Sequence, residues 1–99
     1  MPPRDLVWTP GAIKQLAELL ERRKDRLGVR KCVEQHLMVA ANDLEGVAHK
    51  WVGPIEDVWI HRFRCEDHKD GKVIALNLQA ELEAMNGSVG VLACGTILL

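Results

Sequence analysis

Two hydrophobic rhythms divide the chain, and the first is helical. In "TPGAIKQLAELLERRKDRLG", Ile13, Leu16, Ala17, Leu20 and Leu27 return to one face at intervals of three or four, which predicts an amphipathic helix over 10–27. Thr9 precedes it and can N-cap, because a threonine hydroxyl accepts from one of the orphan N–H groups of a first turn. Pro10 then occupies the first helical position, where a missing N–H costs little. Arg22, Arg23, Lys24 and Arg26 crowd the far end, where cations suit the helix dipole. Gly28 can take the left-handed conformation that ends a helix.

A period of two takes over in "WIHRFRCEDHKDGKVIALNL". A turn at "HKDG", residues 68–71, pairs Asp67 with Lys72. Cys65 then faces Ile74, Phe63 faces Leu76 and His61 faces Leu78, with Trp59 on the same side. Glu66, Arg64 and Arg62 face Val73, Ala75 and Asn77 on the other side. One register thus separates an apolar face from a mostly polar one, as a half-buried antiparallel pair requires. His61 becomes a core-face histidine in need of a hydrogen-bond partner. Cys65, Phe63 and Trp59 are expected to be buried and His68 exposed.

Two segments fit both rhythms. In 29–42, Val29, Cys32, Val33, His36, Leu37, Ala40 and Ala41 make a helical stripe, while Val29, Val33, Leu37, Val39 and Ala41 also alternate. The turn-like "NDLEG" and the following "VAHKWVG" favour a hairpin there, and Gly53-Pro54 punctuates the chain after it. In 79–86, alternation through Ala80, Leu82 and Ala84 favours a strand leading to the turn pair Asn86-Gly87, although the residue types also suit a short helix. "SVGVLACGTILL" closes the chain as a strand. Together these elements predict an α+β fold: an N-terminal amphipathic helix packed on a four- to five-stranded, mostly antiparallel sheet.

The 99 residues fit one domain with one core, spanning 1–99. With 47% hydrophobic and 27% charged residues the mix is that of an ordinary globular chain. A net charge of −1 supplies no field that would draw the whole chain to nucleic acid or membrane. No apolar run reaches the roughly 18 residues of a membrane span, and no secretory leader is visible at the start. Three cysteines, an odd count without an export signal, point to reduced thiols in a cytoplasmic setting.

Four residues form a candidate metal set: Cys32, His36, Cys65 and His68 are good zinc ligand types, and four would close a tetrahedral site. Geometry restricts them. Residues four apart in a strand lie about 13 Å from each other, so His61 and Cys65 cannot share an ion in a strand over 58–66. Cys32 and His36 can share one only if their segment is helical. Ordinary buried thiols and histidines are therefore the expectation, with a fold that stands without metal and no cofactor. The cluster Arg22, Arg23, Lys24, Arg26, Arg30 and Lys31 is the one dense run of like charge. It is a candidate phosphate-contacting surface, diluted by Glu21 and Asp25 and lacking an aromatic for stacking. Nucleophilic chemistry has little to build on, since Ser88 has no glycine-elbow context and Cys32 with His36 and Glu34 has no evident oxyanion site.

"TPGAIKQLAELL" together with "KDGKVIALNLQAELEAMNG" resembles the A-type iron–sulfur carriers, which begin with a Thr-Pro-capped helix and later carry an Asp-Gly hairpin before another Gly turn. The resemblance covers about a third of the chain. It implies an iron–sulfur function, but the glycine-flanked cysteine and the Cys-Gly-Cys of that family have no counterpart here, so no ligand residue carries over.

Finally, residues 84–99 carry no charge. An apolar strand without a lysine or proline gatekeeper must lie centrally, lie under a helix or pair with another chain. The expectation that follows is a small, non-enzymatic binding or assembly module with a protein partner, associating with itself, as a dimer for instance, through this segment.

Overall fold

The computed structural model describes residues 4–51 and 57–97. Strand β1 (Asp5–Trp8) leads into helices α1 (Pro10–Glu21) and α2 (Arg26–Asn42) and the single turn α3 (Leu44–Val47). Strands β2 (His49–Lys50), β3 (Val58–Lys69), β4 (Lys72–Met85) and β5 (Ser88–Thr96) follow. The strands form one sheet in the order β1-β5-β4-β3-β2. Every pairing is antiparallel except β1 with β5, which run parallel. The α+β class and the mostly antiparallel five-stranded sheet are as expected, the one parallel pairing making the sheet mixed. β1 is the element that the hydrophobic pattern did not announce; four residues are too few to display a period.

Thr9 caps α1 as anticipated. Its Oγ1 accepts from the Ala12 N–H at 3.3 Å and donates to the Val91 carbonyl at 2.8 Å, tying the helix start to the neighbouring strand. The helix nonetheless stops at Glu21, not at 27. The cause is a second cap. Asp25 accepts from the Gly28 N–H at 3.1 Å and starts α2, so Gly28 sits inside that helix instead of terminating the first one. A Cβ at Gly28 would overlap the Asp25 carboxylate, which explains the glycine three residues after the cap. Asp43 and Gly46 repeat the device at α3.

The stretch 29–42 is helical, which corrects the expectation of a hairpin. Positions four apart satisfy both periods, so Val29, Val33 and Leu37 could not discriminate. The deciding pair is Val39, 57% exposed, and Ala40, fully buried, which only the helical period explains.

The hairpin of β3 and β4 keeps the expected faces but not the expected partners. Asp70 and Gly71 both have positive φ, 50° and 76°, and form a two-residue turn that pairs Lys69 with Lys72. Cys65 therefore faces Leu76, Phe63 faces Leu78 and His61 faces Ala80. The shift is two residues, so the same side chains point inward. Cys65 and Phe63 are buried, Trp59 is half-buried and His68 is exposed. Ile74, once expected against Cys65, lies nearer the hairpin tip and is 55% exposed. Residues 79–85 continue β4, and the turn at Asn86-Gly87 leads into β5.

Of the uncharged final segment, β5 lies in the interior of the sheet, between β1 and β4 and beneath α1, while residues 98–99 lie outside the described residues. Val89, Val91 and Cys94 are fully buried. A bulge beside Leu82 leaves Leu92 unpaired and realigns the strand. Its apolar character is thus accounted for within the chain, and the edge-strand motive for self-association through it falls away.

Asp67 anchors the helical layer. Its carboxylate accepts the N–H of Asp25 at 2.7 Å and that of Lys24 at 3.1 Å, across 42 and 43 residues of chain. These bonds, Asp25's first, hold its carboxyl below the usual aspartate range; burial opposes them, while the charges of Arg23 and Lys24 add to them.

Two outcomes follow from these contacts. Leu37→Ala should cost about 2–5 kcal/mol in urea unfolding, whereas Val39→Ala should stay within about 0.5 kcal/mol; equal losses would contradict the helical face. A depressed folded carboxyl means that the stabilisation from Asp67 is complete above the unfolded aspartate value of about 3.9 and is lost as pH falls through the lower folded value. Asp67→Asn should therefore lower the neutral-pH denaturation midpoint and flatten the loss of stability on acidification, as followed by circular dichroism.

Candidate functional site

Because α2 is a helix, Cys32 and His36 stand one turn apart on a single face. That face lies against β3, where Cys65 points inward from the strand. One donor atom each of Cys32, His36 and Cys65 lies within 4.8 Å of the other two. Three of the four candidate metal ligands thus converge. The fourth does not: His68 is exposed, and its Nε2 lies 3.1 Å from the Glu66 carboxylate, outside the cluster. Alternation along β3 is the cause, since His68 and Cys65 belong to opposite faces.

Cys32 and Cys65 form a disulfide, with their Cα atoms 6.0 Å apart. This corrects the expectation of three free thiols, for which the odd count was a poor guide. Cys94 is the free one. Burial pushes its thiol up to about 11, and its backbone N–H is held by Gln15 Oε1 at 2.8 Å. Such a thiol is unreactive at neutral pH.

Aromatic rings wall the site. His36 stacks on Phe63 with ring centroids 5.0 Å apart, and His61 stacks on the same ring at 5.2 Å. His61 is 7% exposed, and its Nδ1 donates to the Val47 carbonyl at 3.2 Å, which is the partner that a core-face histidine required. That bond leaves Nε2 buried with no partner among the described residues. Burial lowers the His61 pKa below the ordinary histidine value; the Val47 bond raises it in part and neighbouring His36 lowers it further. His61 is therefore neutral at pH 7.

A depression of about 450 Å³ opens between α2 and the outer side of β3, with Gly28, Cys32, Arg64, Cys65, Glu66 and the exposed His68 in its wall. Cys32 is half-buried and Cys65 only 1% exposed, so a reagent reaching the pair arrives from the Cys32 side.

The basic residues are placed apart from this cluster's core. Arg22, Arg23 and Lys24 form the α1–α2 corner, and Arg26, Arg30 and Lys31 occupy the first half of α2. Arg26 Nη2 donates to the Glu21 carbonyl at 3.3 Å, and Arg30 pairs with Glu34 at 3.1 Å. Arg23 is half-buried, and its Nε has no hydrogen-bond partner among the described residues. The corner's firmest contact is with a carboxylate of the same chain, through backbone N–H groups and not side chains. Pattern analysis missed Asp67, although a carboxylate in phase with Cys65 and Phe63 on an apolar face was the signal available.

In comparisons with family models, curated proteins and solved structures, nothing matches this chain, so the site is interpreted from its own geometry.

The disulfide closes a sequence separation of 33 residues, which in the chain-entropy model stabilises the fold by about 3–4 kcal/mol. Reduction should lower the unfolding free energy by that order while leaving the circular dichroism spectrum at neutral pH unchanged, and Cys94→Ser should leave the difference between the two states intact. A midpoint indifferent to reductant would show that the pair carries no such constraint.

Proposed function

We infer that the chain is a small, non-enzymatic binding and assembly module that works through protein–protein contact, with the outer edge of β3 as the contact surface. The observation that carries this is the mismatch between neighbouring strands. β3 has 12 residues, and β2 pairs with only Trp59 and Ile60. Trp51 adds one bond to the Val58 carbonyl. Beyond that, residues 61–69 have no neighbouring strand on their outer side among the described residues.

Unpaired backbone groups on an edge accept another strand. Here the exposed side chains Arg62, Arg64, Glu66 and His68 discourage indiscriminate pairing and select a partner by charge. A second copy fits that pattern. Antiparallel contact about a two-fold axis normal to the sheet sets Arg64 opposite Glu66 of the partner subunit, twice over, and Arg62 opposite His68 of the partner subunit. A register two residues along would set Arg64 against Arg64 of the partner subunit, a like-charge clash. The setting we assign is the cytoplasm, a reducing compartment in which the Cys32–Cys65 bond is open to reduction.

Sedimentation at protein concentrations on the order of tens of micromolar tests this. The wild type should sediment as a dimer, Arg64→Glu should give a monomer with an unchanged melting point, and Arg64→Glu with Glu66→Arg should restore the dimer. A wild-type monomer excludes the second copy as occupant. A dimer indifferent to both substitutions moves the interface elsewhere.

A further inference from the structure

We propose that Cys32, His36 and Cys65, with the disulfide reduced, hold a single zinc ion, so that the disulfide and the zinc complex are alternative states of one site. This goes beyond the assembly role and does not depend on it. The donor set is two thiolates and one imidazole, the mixed sulfur–nitrogen chemistry that suits zinc. Zinc bonds of about 2.3 Å to sulfur and 2.0–2.1 Å to nitrogen place tetrahedral donors roughly 3.5–3.8 Å apart. No donor of the three lies more than 4.8 Å from another, so binding asks the imidazole to close in by up to about an ångström and the two sulfurs, bonded to each other in the oxidised state, to part to about 3.8 Å, both movements within reach of side-chain rotation. Two donors come from one helical face and the third from the strand beneath it, so the fold itself assembles the site.

Two further features point the same way. Phe63 stacks on His36 at 5.0 Å and fixes the ring between the sheet and the cluster. Beside it, with ring centroids 6.3 Å apart, stands His61, whose buried Nε2 is an acceptor without a donor. A histidine bound to zinc through one nitrogen carries N–H on the other and is normally oriented by an acceptor. His61 Nε2 is an acceptor of this kind on the ring neighbouring His36. Three protein ligands leave the fourth position of a tetrahedral ion open, and the depression beside Cys32 gives it access to solvent.

Interconversion balances with a peroxide as oxidant. Each zinc-bound thiolate loses one electron, the sulfur–sulfur bond forms and the ion leaves. Hydrogen peroxide takes the two electrons together with two protons from the solvent, its O–O bond breaks, and two waters result. Reduction by a dithiol reverses the sulfur chemistry and reopens the site.

The test uses the full chain, reduced with a phosphine that is then removed, and titrated with zinc against a chromophoric chelator and with cobalt(II) by absorbance. One ion per chain is expected, with cobalt showing thiolate charge-transfer and tetrahedral visible bands. Peroxide treatment should release the zinc stoichiometrically and abolish both bands. His36→Gln should weaken binding by more than the roughly 10–100-fold that losing a second-shell partner costs, while Cys94→Ser should leave it unchanged. Failure of the reduced wild type to compete with the chelator overturns the proposal without reference to any variant. Binding that persists in the oxidised protein, or that is lost equally in Cys94→Ser, overturns it as well.

Discussion

One carboxylate positions the helical layer of this protein. Asp67 reaches from the far end of β3 to the two backbone N–H groups at the corner between α1 and α2. The Asp25 N–H belongs to the set that a helix start leaves unsatisfied, the Lys24 N–H lies one residue before it, and the Asp25 carboxylate meets a further member of the set at Gly28. The corner is thereby pinned to the sheet, and α2 begins at a defined point above β3. Cys32 is one of the residues that follow from that start, and its position over Cys65 is inherited from it. The covalent or ligand-holding link between helix and strand is thus a second fastening, placed on the same strand two residues before the first and on the same face.

What could be read beforehand follows a physical division. Thr9 and Pro10 announce a helix by local chemistry, and local chemistry decides there. The hairpin faces were legible because alternation over 59–78 is long and unbroken. The partners within it were not, because a two-residue shift leaves every face unchanged and only the turn discriminates. Asp70-Gly71 supplies the two positive φ values of a tight turn, and that pair outweighed a looser loop. Residues 29–42 were ambiguous for an intrinsic reason: every fourth position serves periods of 2 and 3.6 alike. The resolution rests on Asp25 and Asp67, one before the segment and one 25 residues beyond its end, and only the second is tertiary.

The site divides the same way. His61 was legible as a core-face histidine because its phase on β3 follows from alternation, although Val47 as its partner was not. Convergence of Cys32, His36 and Cys65 required a helix where a strand was expected, so it was stated only as a condition. His68 was excluded by phase alone once β3 proved to run through it. The basic run from Arg22 to Lys31 is continuous on paper, but a helix–helix corner bends it, the Glu34 carboxylate pairs with Arg30 and the Glu21 main-chain carbonyl holds Arg26.

The parallel pairing of β1 with β5 has a consequence for how the chain is made. Asp5 lies against Ser88 and Trp8 against Val91, so β1, made before the other described elements, finds its place only once β5 has emerged from the ribosome. Closing so long a loop is entropically costly and slow compared with forming α1, α2 or the β3–β4 hairpin. Between the emergence of β5 and that closure, β5, which carries no charged residue, presents an open edge, the kind of surface that invites intermolecular pairing. The short Asp5–Trp8 strand, held at its end by the Thr9 bonds to Val91, is what finally covers it, acting as a late-arriving cap on nascent chains.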